Sequence, residues 1–351
     1  MISTLIKPPV LRPGDKVATV TLSWGGAGKF PHRYQAGKRQ LQEVFDLQVV
    51  EMPHTLADPD WIYKNPESRA DDLMLAFSDP EIKGIISTIG GDDSIRILPF
   101  LDLQVIRDNP KVFLGYSDTT ISHFACYKAG LVSFYGPSIL AGFAENGGLF
   151  SYMTDSVKKT LFSTEVIGLI SPNEVGWTDE RLEWADPDNQ NRRRKLNESM
   201  GWHFLQGQGI HRGHLLCGCF EVVDWLRGTE FWPTTDQWEQ AILFLETSED
   251  APSPEMVKYG LRTYLALGIL EKLTGILFAR PGGGIPPEKF SEYDQVLLEV
   301  IRDEAGLKNL PIITHMDFGH TDPMMVLPYG VQAEINSEKQ QFSIMENAVI
   351  N

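Results

Sequence analysis

The spacing of apolar positions switches between two periods along the chain. After the turn Pro13-Gly14-Asp15, the β-branched run Lys16-Val-Ala-Thr-Val-Thr-Leu22 reads as a first strand. Tyr34, Leu41, Val44 and Phe45 then fall at helical spacing, and residues 47–52 read as a second strand. Ala70, Leu73, Met74 and Phe77 mark a helix, residues 84–89 a third strand, and Ile95, Leu98 and Leu101 resume helical spacing. Lys111-Val-Phe-Leu114 is a fourth, buried-looking run; Ile121, Phe124, Ala125 and Ala129 form a helical stripe, and residues 131–135 a further strand. Such strict alternation predicts α/β architecture, a parallel sheet covered on both faces.

The periodicity fades from about residue 171 to 212. Trp177, Trp184 and Trp202 stand there among acids, asparagines and the basic run Arg192-Arg-Arg-Lys195. The segment reads as a connector that folds over a site. Its tryptophans suit either stacking on a flat ligand or anchoring the connector to the body. Alternation resumes after Gly213, with strands at 241–245, 275–278 and 311–314 and helices through Met256, Leu261, Leu265 and through Val296, Leu297, Val300. The expected organisation is an N-terminal domain over 1–170, a connector over 171–212, and a smaller α/β domain over 213–351.

Charge narrows the partners. A net charge of −16 argues against nucleic acid and against an anionic membrane surface. Residues 1–10 carry one lysine, two prolines and no long apolar stretch, so neither a signal peptide nor a membrane span is expected, and the compartment expected is the cytoplasm. Cys126, Cys217 and Cys219 are too few and too apolar in setting for a disulfide framework, and Cys217-Gly-Cys219 lacks the companions of a zinc site. No metal or other cofactor is called for.

The chemistry concentrates where strands end. Ser117 lies in Gly115-Tyr-Ser-Asp-Thr-Thr120, a sharp strand-to-helix turn, where a serine is either an exposed nucleophile or a helix N-cap. Gly90-Gly91-Asp92 follows the third strand and is either an anion or oxyanion site or a capped turn. The Gly-rich stretch Trp24-Gly-Gly-Ala-Gly28 has neither P-loop lysine nor dinucleotide spacing, and reads as a flexible loop. Glu246 and His320 each close an apolar strand and open a polar loop. Acyl transfer needs a hydroxyl, an imidazole and an orienting carboxylate, which these residues supply. Bland readings compete: Glu246 as an exposed strand-end acid, His320 bonded to Asp317 or Asp322, and His123 or His315 as the base instead.

Leu11-Arg-Pro-Gly-Asp-Lys-Val-Ala, Ile89-Gly-Gly, Gly115-Tyr-Ser-Asp-Thr-Thr, Phe244-Leu-Glu and Gly319-His, with Leu327-Pro-Tyr-Gly-Val-Gln-Ala-Glu334, resemble the LD-carboxypeptidase family of serine peptidases along nearly the whole chain and in order. That resemblance implies a Rossmann-like N-terminal domain joined to a C-terminal α/β domain, with a metal-free site at their interface. By motif, Ser117 would be the nucleophile, Glu246 the acid and His320 the base, with the amides of Asp118, Gly90 and Gly91 as oxyanion or carboxylate donors. The Ile89-Gly-Gly-Asp-Asp-Ser turn and the segment 177–184 are similar to the branch conferring microcin immunity, which cleaves aminoacyl groups from modified nucleotides. In that branch Asp92 and a connector tryptophan, Trp184 first and Trp177 second, would meet the substrate, with Arg192–Arg194 near a phosphoramidate or sulfamate. The other branch trims terminal D-alanine from muropeptide tetrapeptides. The expected partners are a small-molecule or peptide-nucleotide substrate and, from the resemblance alone, a second copy in a homodimer.

Overall fold

The computed structural model describes residues 5–351. Among the described residues, fourteen strands form two sheets. The first is built from β1 (Lys16–Val20), β2 (Gln48–Glu51), β3 (Ile82–Ser87), β4 (Val112–Gly115) and β5 (Phe134–Tyr135), all parallel, in the order 2-1-3-4-5. β4 is wholly buried and β3 nearly so, as continuous apolar runs require when helices cover both faces. The order reverses between β1 and β3, and the loops leaving their carboxyl ends, Trp24–Gly28 and Gly90–Asp92, open into one crevice. Doubly wound sheets bind ligands in such a crevice.

The second sheet combines β6 (Gly168–Ile170), β7 (His203–Gln206), β8 (Ile210–Cys219), β9 (Ala241–Glu246), β10 (Gly275–Ala279), β11 (Ile312–Met316), β13 (Gln332–Asn336) and β14 (Gln341–Ile344). Its centre, β8-β9-β10-β11, is parallel and largely buried; β7 and the β13-β14-β6 ribbon add antiparallel edges. Strand pairing crosses the expected boundaries in three places. β6 and β7, from the end of the first segment and from the connector, both join the second sheet. β12 (Leu327–Pro328), from the last segment, pairs with β5 and edges the first sheet. Period alone does not announce these strands, because each is a short edge whose partner is remote in sequence.

Helix Thr120–Ala129 is buried at every position except Lys128 and ends at Gly130, whose φ of 86° suits glycine at a helix C-terminus. A helix with no polar face must be covered all round. Thr120 Oγ1 at its start accepts the Cys219 N–H at the end of β8, 3.2 Å away, linking the two sheets. One apolar cluster runs through both halves, joining Leu114 and Phe124 to Phe244, Phe318 and Tyr329. The helical stripe at Ile95–Leu101 is a 3₁₀ helix, Ser94–Phe100, with Pro99 inside it. Among the described residues all three cysteines are free and buried, and no helix is long and apolar enough to cross a membrane.

Candidate active site

β4 delivers Ser117 at φ +61°, a left-handed backbone that a non-glycine residue adopts only when its surroundings hold it there. Ser117 is thus the strained apex of a turn that continues through a short 3₁₀ segment, Ser117–Thr119, into helix Thr120–Ala129. A Cβ on Gly115 would stand 2.7 Å from the Thr119 side chain, so glycine lets the turn close. The second sheet faces it: His320 Nε2 lies 3.1 Å from Ser117 Oγ, and His320 Nδ1 lies 2.7 Å from Glu246 Oε2. Glu246 is fully buried at the end of β9. Glycines permit this approach as well. A Cβ on Gly319 (φ +82°) would sit 2.6 Å from the Glu246 side chain, and one on Gly282 would sit 2.7 Å from His320 Cβ.

The competing histidines are engaged elsewhere. His123 stacks on Tyr329 and bonds Ser133 Oγ and the Gly115 carbonyl, each at 2.9 Å, and burial drives its pKa down to about 3. His315 lies within β11, beside His203 and Asp294 and outside the lining of the Ser117 cavity.

Two contacts lay outside the reach of the sequence. The Tyr135 hydroxyl, buried, accepts the Ser117 N–H at 3.1 Å and donates to Glu246 Oε1 at 2.5 Å, bridging the two sheets. Glu249 Oε2 lies 2.8 Å from His320 Nε2, the same nitrogen that faces Ser117. Burial alone would lower the His320 pKa, but the Glu246 charge and the hydrogen bonds to Glu246 and Glu249 overcome it and raise the pKa to about 10. The reciprocal bond to His320 outweighs desolvation at Glu249 and lowers its pKa to about 2. With both carboxylates in place, the charged imidazolium form of His320 is favoured.

The Gly90-Gly91 turn abuts the hydroxyl. A Cβ on Gly90 would fall 2.7 Å from Ser117 Oγ and 3.2 Å from the Asp118 nitrogen, so the space belongs to whatever Ser117 meets. The buried Asp118 carboxylate accepts the N–H groups of Asp93 (3.0 Å) and Ser94 (2.8 Å), pinning this turn to the serine elbow. Burial raises the Asp118 pKa against those hydrogen bonds. Asp118 therefore fixes the turn with its side chain.

A cavity of about 750 Å³ starts at Ser117, Gly90, Gly91, Asp92 and His320 and runs to Trp24, Phe30, Arg33 and Trp184. Trp184 packs on the edge of Phe30 and beneath the Arg33 guanidinium, 4.4 Å from the ring centroid. Burial lowers the Arg33 pKa to about 10. Trp177 is placed differently from expectation. It is 1% exposed, pairs through its backbone with Asn197, and packs on Phe290 beneath Arg280, away from the cavity. An indole that anchors the connector cannot also stack on a ligand. Of the basic run, Arg194 lines the cavity and is consumed by ion pairs to Glu145 and, at 2.7 Å, Asp322. The Trp24–Gly28 stretch is no flexible loop: it turns into a short helix, Gly26–Lys29, and Gly25 and Gly28 pack on backbone, Gly28 so closely that a Cβ would stand 2.3 Å from the Ala57 oxygen.

Comparison with known proteins agrees with this architecture. Residues 17–136 match the family model of the LD-carboxypeptidase N-terminal domain, and residues 212–335 that of the C-terminal domain. The chain is 31% identical over 285 residues to the microcin C7 self-immunity protein MccF of Escherichia coli, covering 80% of this chain and 78% of that protein. A solved MccF-like protein from Streptococcus pneumoniae in complex with AMP superposes with a TM-score of 0.85 at 31% identity, covering 95% of this chain and 99% of the other. MccF in complex with aspartyl sulfamoyl adenosine gives 0.81 at 26% identity, over 98% and 100%. The chain belongs to the LD-carboxypeptidase family and is a serine-type carboxypeptidase or hydrolase.

Proposed function

We propose that the chain hydrolyses the amide, acyl-sulfamate or phosphoramidate type bond of aminoacyl- or peptidyl-nucleotides, as a self-immunity or detoxifying enzyme. The observation carrying this reading is the shared cavity: Ser117 and His320 line one end, and Trp184, held by Phe30 and Arg33, lines the other. That pairing suits a scissile carbonyl joined to a flat base. The AMP and aminoacyl-sulfamoyl nucleoside complexes of its structural relatives support it.

Ser117 Oγ attacks the carbonyl carbon while neutral His320 takes the hydroxyl proton at Nε2 and Glu246 stabilises the imidazolium through Nδ1. The amides of Asp118 and the Gly90-Gly91 turn receive the oxyanion. His320 returns the proton to the nucleotide leaving group, and water cleaves the acyl-enzyme by the same route. Glu249 must swing off Nε2 first; its side chain is 47% exposed and free to do so.

The test gives wild type and Ser117→Ala an aminoacyl sulfamoyl adenosine and, separately, an LD-linked muropeptide tetrapeptide. Cleavage of the nucleotide conjugate by wild type alone is the expected result. Cleavage restricted to the tetrapeptide would overturn the substrate and return the chain to wall recycling. Failure of a serine-directed phosphonate to label Ser117 would reduce it to a two-domain binding protein.

A further inference from the structure

A second cluster of ligating groups lies outside the cavity, where the connector meets the second sheet. β7 pairs antiparallel with β11, setting His203 opposite Thr314 and beside His315. The two imidazole centroids are 4.0 Å apart. Asp294, on helix Phe290–Leu297, extends Oδ2 to 3.2 Å from His315 Nε2 and 3.7 Å from His203 Nδ1. One ligand atom from each of the three lies within 4.8 Å of the others, the one such histidine–acid grouping among the described residues.

The polar accounting here is open. His315 is 3% exposed, yet both its ring nitrogens lack a well-formed hydrogen bond, as does Asp294 Oδ1. Buried polar atoms are rarely left so. His315 is also held at φ +59°, a costly backbone for a non-glycine residue. The edge of Phe290 packs on its ring and walls the cluster on one side, while His203, 40% exposed, leaves the other side open to solvent. We propose that His203, Asp294 and His315 bind a divalent transition-metal ion of the zinc class, with water completing the coordination.

Two imidazoles and one carboxylate suit Zn²⁺, whose bonds of about 2.0–2.2 Å put tetrahedral ligand atoms about 3.3 Å apart. The two separations to Asp294 already bracket that value, and a small inward rotation of His203 completes the set. Burial and the neighbouring His315 lower the His203 pKa, against the pull of Asp294. The ion would be structural. It clamps the end of the connector to β11, close to where Trp202 Nε1 donates to Asp317 Oδ2 at 2.7 Å, and takes no part in chemistry at Ser117. The competing account is a plain His315–Asp294 ion pair that binds nothing.

The test strips the full-length protein with a chelator and titrates it with Zn²⁺ by calorimetry, and with Co²⁺ by visible absorption. One equivalent should bind, Co²⁺ should give the intense d–d bands of a tetrahedral site, and Zn²⁺ should raise Tm by a few degrees. His203→Ala, at the solvent edge, and Asp294→Asn should each lose all three responses; circular dichroism checks that both fold. No binding to wild type, or equal binding to His203→Ala, overturns the site and leaves the ion pair or adventitious surface binding.

Discussion

Glu249→Gln tests how the imidazole is held before substrate arrives. In wild type the carboxylate sits 2.8 Å from Nε2, so the charge centres are about 4 Å apart, worth about 1 kcal/mol in water and about 4 kcal/mol in a less polar setting. Glu249 is nearly half exposed, so screening favours the low end, roughly 1.4 kcal/mol or one pKa unit. The sign follows from the proton inventory. His320 accepts the serine proton only when neutral, and its raised pKa confines the neutral form to higher pH. Glutamine keeps the shape and removes the charge, so the acid limb of kcat/KM should move down by about one unit, with activity about tenfold higher below the limb. The assay is kcat/KM for an aminoacyl sulfamoyl adenosine from about pH 6 to 10. An acid limb that stays in place, or moves up, refutes the account of Glu249 as a brake on the imidazole. A grip on substrate by Glu249 would raise KM separately, without moving the limb back.

Four further outcomes follow. Tyr135→Phe leaves a buried carboxylate oxygen and the Ser117 N–H without their shared partner, about 1–3 kcal/mol, so kcat should fall about 10- to 100-fold with KM little changed. Gly90→Ala puts a methyl group 2.7 Å from Ser117 Oγ and should cost at least about 100-fold in kcat and in phosphonate labelling while the melting curve is kept. Trp184→Ala should raise KM for adenylate substrates more than for tetrapeptides; equal effects on steady-state kinetics would remove the stacking role. The wall beside His320 carries Glu221, Glu249 and Asp250, so competition assays should show basic or neutral aminoacyl conjugates hydrolysed faster than aspartyl or glutamyl ones.

Much of the fold was legible because its central strands are buried on both faces. Runs such as Val112–Gly115 and Ala241–Glu246 are uninterrupted apolar segments, and the residue closing each is where the sequence pointed: Ser117 just past one, Glu246 at the end of the other. The edge strands were not legible. Gly168–Ile170 and His203–Gln206 are half-exposed, short and paired to distant segments, so neither length nor alternation marks them. Trp177 and Trp184 are indistinguishable as isolated indoles in a polar segment. Only the route of the connector separates the one buried under Arg280 from the one facing the cavity beside Arg33. Tyr135 matters through a contact made across the two sheets, and Glu249 through one between the loops that follow β9 and β11, which no spacing along one chain encodes; a tyrosine closing a buried strand and an acid three residues beyond Glu246 were the faint signals available.

The division of the site between two sheets creates a mechanical problem that the topology answers. Ser117 belongs to one sheet and His320 to the other, and their 3.1 Å contact would fail if the sheets slid by an ångström. Four links oppose sliding. β12 leaves the C-terminal segment to pair with β5, and the next residue, Tyr329, donates its hydroxyl to the Cys217 carbonyl in β8. Thr120 at the head of the buried helix takes the Cys219 amide, and Tyr135 bridges Ser117 to Glu246. Each link joins a segment of one half of the chain to a segment of the other. Gly218 belongs to the same device: a Cβ there would meet Thr120 Oγ1 at 2.7 Å and the Tyr329 hydroxyl at 2.9 Å, so the crossing point tolerates no side chain. The rigidity needed by the hydroxyl and the imidazole is therefore built at the seam itself, which leaves the connector, with Trp184, free to vary with the ligand.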